Sequence, residues 1–103
     1  MARRAAKVDT NHGEVVSHLR AIGWRIHDSS AVGGGFPDLV CAHVRTGHQA
    51  LVEIKYGKAE LNKLQRDFRD DWPGAYFVVR SPDDAERQLT LWLLSLAPLK
   101  LTS

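Results

Sequence analysis

The sequence of 103 residues contains a single cysteine, Cys41, and a single methionine. One thiol excludes both a disulfide framework and a zinc site built from cysteines, and it indicates a reducing cytoplasm. No stretch approaches the ~18 consecutive apolar residues that a membrane-spanning helix requires. Residues Met1–Arg4 also lack the apolar run of a secretory signal. The sequence therefore excludes a disulfide scaffold and a membrane span.

Neither sign of charge dominates, since 14 Lys and Arg residues face 12 Asp and Glu residues, for a formal net charge of +2. Hydrophobic residues make up 44% of the chain and charged residues 25%, which is typical of a globular domain. The length fits one small domain, and no repeat or linker divides it, so we predict one domain over residues 1–103. The slight basic excess does not by itself establish nucleic-acid binding, which requires a basic patch.

Hydrophobic periodicity and turn residues predict seven elements in the order α-β-β-β-α-β-α. The first helix is expected from about His12 to Ile22, after a cap at Asn11 and a flexible basic arm over residues 1–9. The remaining elements are strands over 24–27, 38–44 and 49–55, a helix to about 71, a strand over 75–79 and a helix over 82–96 capped by Ser81. This order predicts a mixed central sheet flanked by helices.

The second and third strands are expected to form a hairpin through a four-residue loop, Arg45–His48. The predicted register pairs Val44 with Gln49, Ala42 with Leu51, Val40 with Glu53 and Asp38 with Lys55. Because side chains alternate between the faces of a sheet, Asp38, Glu53 and Lys55 then share one face at the open end of the hairpin.

Two acids and a lysine on a half-buried face are costly to desolvate unless something compensates. A divalent cation held by Asp38 and Glu53 would compensate, and oxygen ligands without cysteine favour Mg²⁺ or Mn²⁺ over zinc. Such an ion polarises a phosphoryl oxygen and lowers the pKa of a bound water. Lys55 can then orient or deprotonate the water, or stabilise charge in the transition state. The alternative is a surface ion pair between Asp38 and Lys55, worth ~0–1 kcal/mol, with Glu53 in solvent.

The flanking sequence favours the metal site. Pro37-Asp38 followed by Glu53-Ile54-Lys55 resembles the PD-(D/E)XK nuclease superfamily, and in particular its virus-type replication-repair nuclease (VRR-NUC) family. The resemblance covers roughly residues 11–90 and rests on Glu14, Gly34–Leu39, Leu51–Lys55, Leu61–Gln65 and Val78–Ser81. This ordered set is much more specific than the short PD…ExK pattern.

The resemblance implies a restriction-endonuclease-like αβββαβα core and a Mg²⁺- or Mn²⁺-dependent endodeoxyribonuclease. It implies that Asp38, Glu53 and the backbone carbonyl of Ile54 are metal ligands and that Lys55 is the catalytic lysine. Short members of the family act as homodimers and resemble Holliday-junction resolvases. The implied substrate is therefore branched DNA in a bacterial or phage-infected cell.

Two further site residues follow from the same resemblance. Glu14 would support or join the metal site, although an acid near a helix start also interacts favourably with the helix dipole without a metal. Gln65 would be the polar residue beside the site, although its place next to an apolar stripe also fits a boundary residue.

Candidate DNA contacts come from cations, which bind phosphates, and from glycines, which let the backbone approach closely. They are Gly34, Gly35, Lys58, Lys63, Arg66, Arg3 and Arg4. The surplus apolar residues of the last helix, Gln88–Leu96, predict a twofold dimer. Two other functions stay open, namely a non-catalytic DNA-binding module with the nuclease fold, and a nuclease acting on flaps, nicks or RNA-containing duplexes.

Overall fold

The computed structural model describes the backbone of residues 2–96 and the side chains of residues 11–96. The fold is α/β, and the predicted order of seven elements is confirmed. The elements are α1 (Ala2–Ala21), β1 (Trp24–Asp28), β2 (Leu39–His43), β3 (Gln49–Ile54), α2 (Lys63–Asp71), β4 (Tyr76–Val79) and α3 (Pro82–Leu96). Within this part of the chain, no helix is both long and apolar enough to cross a membrane.

Helix α1 begins at Ala2, so the predicted start at His12 and the predicted cap at Asn11 are wrong. Residues 2–7 are Ala, Arg and Lys, which are strong helix formers, and they extend the helix ahead of Asn11. The backbone of the expected basic arm thus belongs to α1, and the side chains of Arg3 and Arg4 lie outside the described part.

Helices α2 and α3 each begin after a residue that caps the N-terminus of the helix. Asn62 caps α2, which begins at Lys63, and forms a capping box with Gln65. At α3, the backbone N–H of Asp84 donates to the Ser81 hydroxyl at 3.0 Å, and Pro82 takes the first helical position, as predicted.

The four strands form one mixed sheet in the order β1-β2-β3-β4. Strand β2 is antiparallel to both β1 and β3, whereas β4 is parallel to β3. Helix α2 lies in the connection between the two parallel strands. The predicted mixed sheet is therefore confirmed.

The register of the β2–β3 hairpin differs from the predicted one by two residues. Val40 pairs with Leu51 instead of Glu53, and Ala42 pairs with Gln49 instead of Leu51. The reason lies in the loop, where Gly47 has a φ of +78° and its N–H donates to the carbonyl of His43 at 2.8 Å. Only glycine adopts such a φ readily, so Gly47 must be the last loop residue and the loop runs over 44–47.

The corrected register changes which charged residues are neighbours. Continuing it past the strand ends places Asp38 opposite Glu53, so the predicted pairing of Asp38 with Lys55 is wrong. Lys55 instead donates its backbone N–H to the carbonyl of Val79 at 3.0 Å. A shift by two residues preserves the face of every side chain, so Asp38 and Glu53 still share one face.

Helices α1 and α3 cover one face of the sheet and form the core with it. This face buries Leu39, Cys41, Ala50, Val52 and Val79 beneath the helix residues Val15, Leu19, Ala85 and Leu89. Each fully buried leucine or valine contributes about 1.5–3 kcal/mol to stability. The Cys41 thiol is free, and its burial here raises its pKa to about 12. The candidate site lies on the opposite face, which we call the outer face.

Candidate active site

Asp38 and Glu53 meet at the end of the sheet, where β2 begins and β3 ends. The Oδ2 atom of Asp38 accepts a hydrogen bond from the backbone N–H of Ile54 at 2.8 Å, which fixes the carboxylate beside β3. The Nζ atom of Lys55 lies 3.6 Å from Oε2 of Glu53. The structure therefore brings together the three residues that the sequence singles out, and Ile54 joins them through its backbone.

Glu53 is a buried acid, with only 3% of its surface exposed. Burial and, to a lesser extent, the negative charge of Asp38 together raise its pKa from 4.5 to about 7, against the opposing effect of Lys55. Its Oε1 atom is buried and has no hydrogen-bond partner. The pocket thus carries more negative charge than one lysine neutralises. This burial excludes the alternative in which Asp38 and Lys55 form a surface ion pair and Glu53 points into solvent.

Gln65 contacts the site directly, where the sequence could only place it on a nearby helix. Its Oε1 atom accepts from the backbone N–H of Asn62 at 2.9 Å, which completes the capping box of α2. Its Nε2 atom donates to Oε2 of Glu53 at 3.0 Å. One side chain therefore both anchors the start of α2 and orients the buried carboxylate.

The structure does not bring Glu14 to the other two acids. Its neighbour Val15 and the following Leu19 point into the core, which turns Glu14 to the exposed side of α1. Glu14 has no hydrogen bond or ion pair among the described residues, and it does not lie near a helix start, because α1 begins at Ala2. Within the described residues, no group of three or more His, Cys, Asp or Glu side chains is placed to hold a metal ion.

The two glycines expected to approach DNA differ in their surroundings. Gly35 has a φ of +90°, and a Cβ atom there would lie 2.5 Å from the carbonyl oxygen of Leu64. This glycine therefore allows the loop before β2 to contact α2. Gly34 also has a positive φ, but it is exposed with open space around it.

Some of the basic residues predicted to contact DNA already have partners within the protein. Lys58 is exposed on the loop after β3. Lys63 forms an exposed ion pair with Asp67 at 2.9 Å, and Arg66 donates to the carbonyl of Leu61 at 2.7 Å. Exposed pairs such as that of Lys63 contribute little and can exchange for a phosphate.

Helix α2 has no fully buried residue. Aromatic contacts of Phe68 hold it over the site. Phe68 packs edge-on against Phe36 at 5.3 Å, stacks on Trp72 at 5.5 Å and lies 6.1 Å from Tyr76. The apolar face expected for α2 is incompletely covered, because Leu64 is 57% exposed. The helix therefore depends on a few ring contacts and on Gln65 for its position.

Tyr76 is a site residue that the sequence does not reveal. It pairs with Leu51, two residues before Glu53, and so lies on the outer face with Glu53. Its hydroxyl is buried without a partner, and burial together with the charge of Glu53 raises its pKa to about 12. The sequence predicts only a strand over 75–79, and the parallel pairing with β3 is needed to place Tyr76.

The donor set fits a hard divalent cation. Asp38 and Glu53 supply carboxylate oxygens, and the partnerless Oε1 of Glu53 is the kind of buried atom that a bound cation satisfies. Binding would also replace the proton that the raised pKa of Glu53 retains near neutrality.

Comparison with models of known protein families, with curated proteins and with solved structures finds no match for this chain. Function is therefore inferred from the chemistry of the site.

Proposed function

We propose that this protein is a metal-dependent endodeoxyribonuclease that hydrolyses phosphodiester bonds in branched DNA, with the four-way Holliday junction as its substrate. The observation that carries the proposal is the buried Glu53 beside Asp38, with a partnerless oxygen and Lys55 at 3.6 Å. A restriction-endonuclease-like fold belongs to the same proposal, supported by the αβββαβα order and the mixed sheet. The same proposal places the protein in a reducing cytoplasm, which the free thiol of Cys41 supports.

Asp38 and Glu53 would hold Mg²⁺ or Mn²⁺, with the carbonyl of Ile54 as a further ligand. When bound, the ion supplies Lewis-acid polarisation of a phosphoryl oxygen and a more acidic water. Gln65 occupies Oε2 of Glu53 and thereby leaves Oε1 for a ligand. The backbone N–H of Ile54 holds the Asp38 carboxylate in the same way. The protein thus orients both carboxylates before any ligand arrives.

Lys55 provides the positive charge that hydrolysis needs at this position. A water oxygen forms a bond to phosphorus, the bond from phosphorus to the 3′ oxygen breaks, and that oxygen takes a proton. The products are a 3′-hydroxyl and a 5′-phosphate. The ammonium of Lys55, which is largely buried, stabilises the charge that develops on the phosphoryl oxygens. Glu14 has no part in this scheme, because it is exposed on α1 and contacts neither acid.

A twofold dimer supplies the symmetry that a four-way junction presents. Helix α3 exposes Leu91 at 58% and Leu94 at 66%, and these residues are three positions apart on one side of the helix. Paired with a second copy, this surface would be removed from water. Leu94→Lys should convert a dimer into a monomer in sedimentation measurements, and a monomeric wild-type protein would contradict this part of the proposal.

The decisive experiment is a cleavage panel of four-way junction, flap, nicked duplex and linear duplex, each with Mg²⁺, Mn²⁺ or Ca²⁺. We expect the wild-type protein to cleave the junction with Mg²⁺ or Mn²⁺. Asp38→Asn should bind the junction without cleaving it. Preferential cleavage of linear duplex would overturn the junction assignment. Binding without cleavage by the wild type, with every metal, would identify a non-catalytic DNA-binding module.

A further inference from the structure

The outer face of the sheet continues beyond the site onto β1 and β2. Trp24 and Ile26 of β1 pack towards the core, so the alternating residues Arg25 and His27 lie on the outer face. Arg25 pairs with Ala42 and His27 with Val40. This part of the face forms an open groove of about 280 Å³. Its lining residues are Arg25, Ile26, His27, Val40, Ala42 and Gln49.

The cationic side chain in this groove is not used by the fold. Arg25 has no hydrogen bond or ion pair among the described residues, and neither does His27. By contrast, Lys63, Arg69 and Arg87 pair with acids on their own helices. Among the described residues of the strands and their immediate ends, Asp38 and Glu53 are the acids that the sheet register places on the outer face, and they lie opposite each other. The groove therefore offers a guanidinium group that cannot lose its charge.

The groove leads directly to the acids. The backbone N–H of Ser29 donates to the carbonyl of Asp38 at 2.7 Å, so residue 29 lies level with Asp38. His27 is two residues before this level and Arg25 four residues before it. At about 3.3 Å per residue, steps of about 7 Å separate Arg25, His27 and the site along the strand. This spacing is comparable to that of successive phosphates along one nucleic-acid strand.

We propose that this groove binds the sugar-phosphate backbone of the DNA strand that is cut. Arg25 contacts one phosphate, His27 contacts the next, and the following phosphate lies at Asp38, Glu53 and Lys55. The apolar floor formed by Val40 and Ala42 contacts the sugars. The inference rests on the proposed nuclease function, but it concerns binding and is measured without cleavage.

The competing explanation is that Arg25 only protects an edge strand. Strand β1 lies at the edge of the sheet, and exposed charged residues on edge strands prevent association between sheets. This explanation requires no effect of Arg25 on DNA affinity. It predicts instead that neutral variants associate with themselves.

The test is the affinity of a fluorescent four-way junction measured by anisotropy in EDTA, where no cleavage occurs. Arg25→Ala should weaken binding about tenfold and lower the salt dependence by about one phosphate contact. The matched control is Arg87→Ala, since Arg87 is an exposed arginine on α3, which covers the opposite face of the sheet. The control should leave both quantities unchanged. Arg25→Gln, which keeps a long polar side chain on the edge, guards against misfolding of the alanine variant.

The outcomes separate this inference from the function on which it rests. Equal affinities for the Arg25 and Arg87 variants would overturn the groove even if the wild-type protein cleaves junctions. A selective loss of affinity in both Arg25 variants would support the groove even if no metal gave cleavage. Self-association of Arg25→Ala with unchanged DNA affinity would show that Arg25 protects the edge strand and would overturn the inference.

Discussion

Glu53→Gln should stabilise the metal-free protein while removing its function. The pKa of Glu53 is 4.5 ordinarily and about 7 in the folded protein, because burial and Asp38 disfavour the charged form. The folded state therefore holds this proton more tightly than the unfolded state. Stability falls as the pH rises from about 4.5 to about 7, and the full loss is present above pH 7. Since a tenfold change in acid dissociation corresponds to about 1.4 kcal/mol, the loss amounts to about 3 kcal/mol.

The substitution removes the ionisation and keeps the shape of the side chain. The remaining amide oxygen can still accept from Gln65, and Asp38 and Lys55 then balance in charge. In EDTA at pH 8, urea unfolding followed by tryptophan fluorescence should show the variant more stable than the wild type by up to about 3 kcal/mol. Near pH 4.5 the two proteins should be close to equal. The control Glu60→Gln, on an exposed loop, should match the wild type at both pH values.

Metal should reverse the order of stability. Mg²⁺ at pH 8 should raise the unfolding free energy of the wild type by binding the folded state, and it should leave Glu53→Gln unchanged. The reasoning is refuted if the variant gains no stability over the wild type between pH 4.5 and pH 8. That result would mean that the ionised carboxylate is already compensated within the protein.

Two further predictions concern the elements that support the site. Gly35→Ala should lower the free energy of urea unfolding by about 2–3 kcal/mol, because its Cβ would lie 2.5 Å from the Leu64 carbonyl oxygen and its φ is positive. Gly34→Ala has open space around it and should lower the same free energy by only the ~1–2 kcal/mol of its positive φ. Equal losses in the two variants would contradict the close contact at Gly35. The pKa of Asp28 is lowered to about 2 by hydrogen bonds from Ser30, with a smaller contribution from His12. The ionised Asp28 therefore stabilises the fold above about pH 4, and this stabilisation is lost as the pH falls towards 2. Between these pH values the free energy of unfolding should fall less steeply in Asp28→Asn than in the wild type. Equal slopes in the two proteins would contradict this assignment.

The central charged residues could be predicted from the sequence because their face depends only on alternation along the strands. The predicted register was wrong by two residues, yet Asp38 and Glu53 remain on one face, since only an odd shift would separate them. What the sequence could not provide is the exact partner, because that depends on which loop residue takes a positive φ. Gly47 decides this, and an Arg-Thr-Gly-His loop permits either choice.

Tertiary contacts account for the other differences. The long α1 follows from helix-forming residues ahead of Asn11, which masked the capping signal expected there. Glu14 was expected at the site, but the packing of Val15 and Leu19 turns it towards solvent. Gln65 carried a readable signal in the Asn-x-x-Gln capping box, whereas its contact with Glu53 requires the folded connection between β3 and β4. The positions of Arg25 and His27 were readable from the alternation of β1 once the sheet order is known.

The central claim is that Asp38, Glu53 and Lys55 form a metal-dependent nuclease site, and junction cleavage by Lys55→Ala tests it most directly. Arg87→Ala, which removes an exposed cation from α3, is the control for a change of net charge. With Mg²⁺ or Mn²⁺, the wild type and the Arg87 variant should cleave a four-way junction at similar rates. Lys55→Ala should bind the junction but cleave it at least about 100-fold more slowly. Cleavage by Lys55→Ala at the wild-type rate would contradict the account.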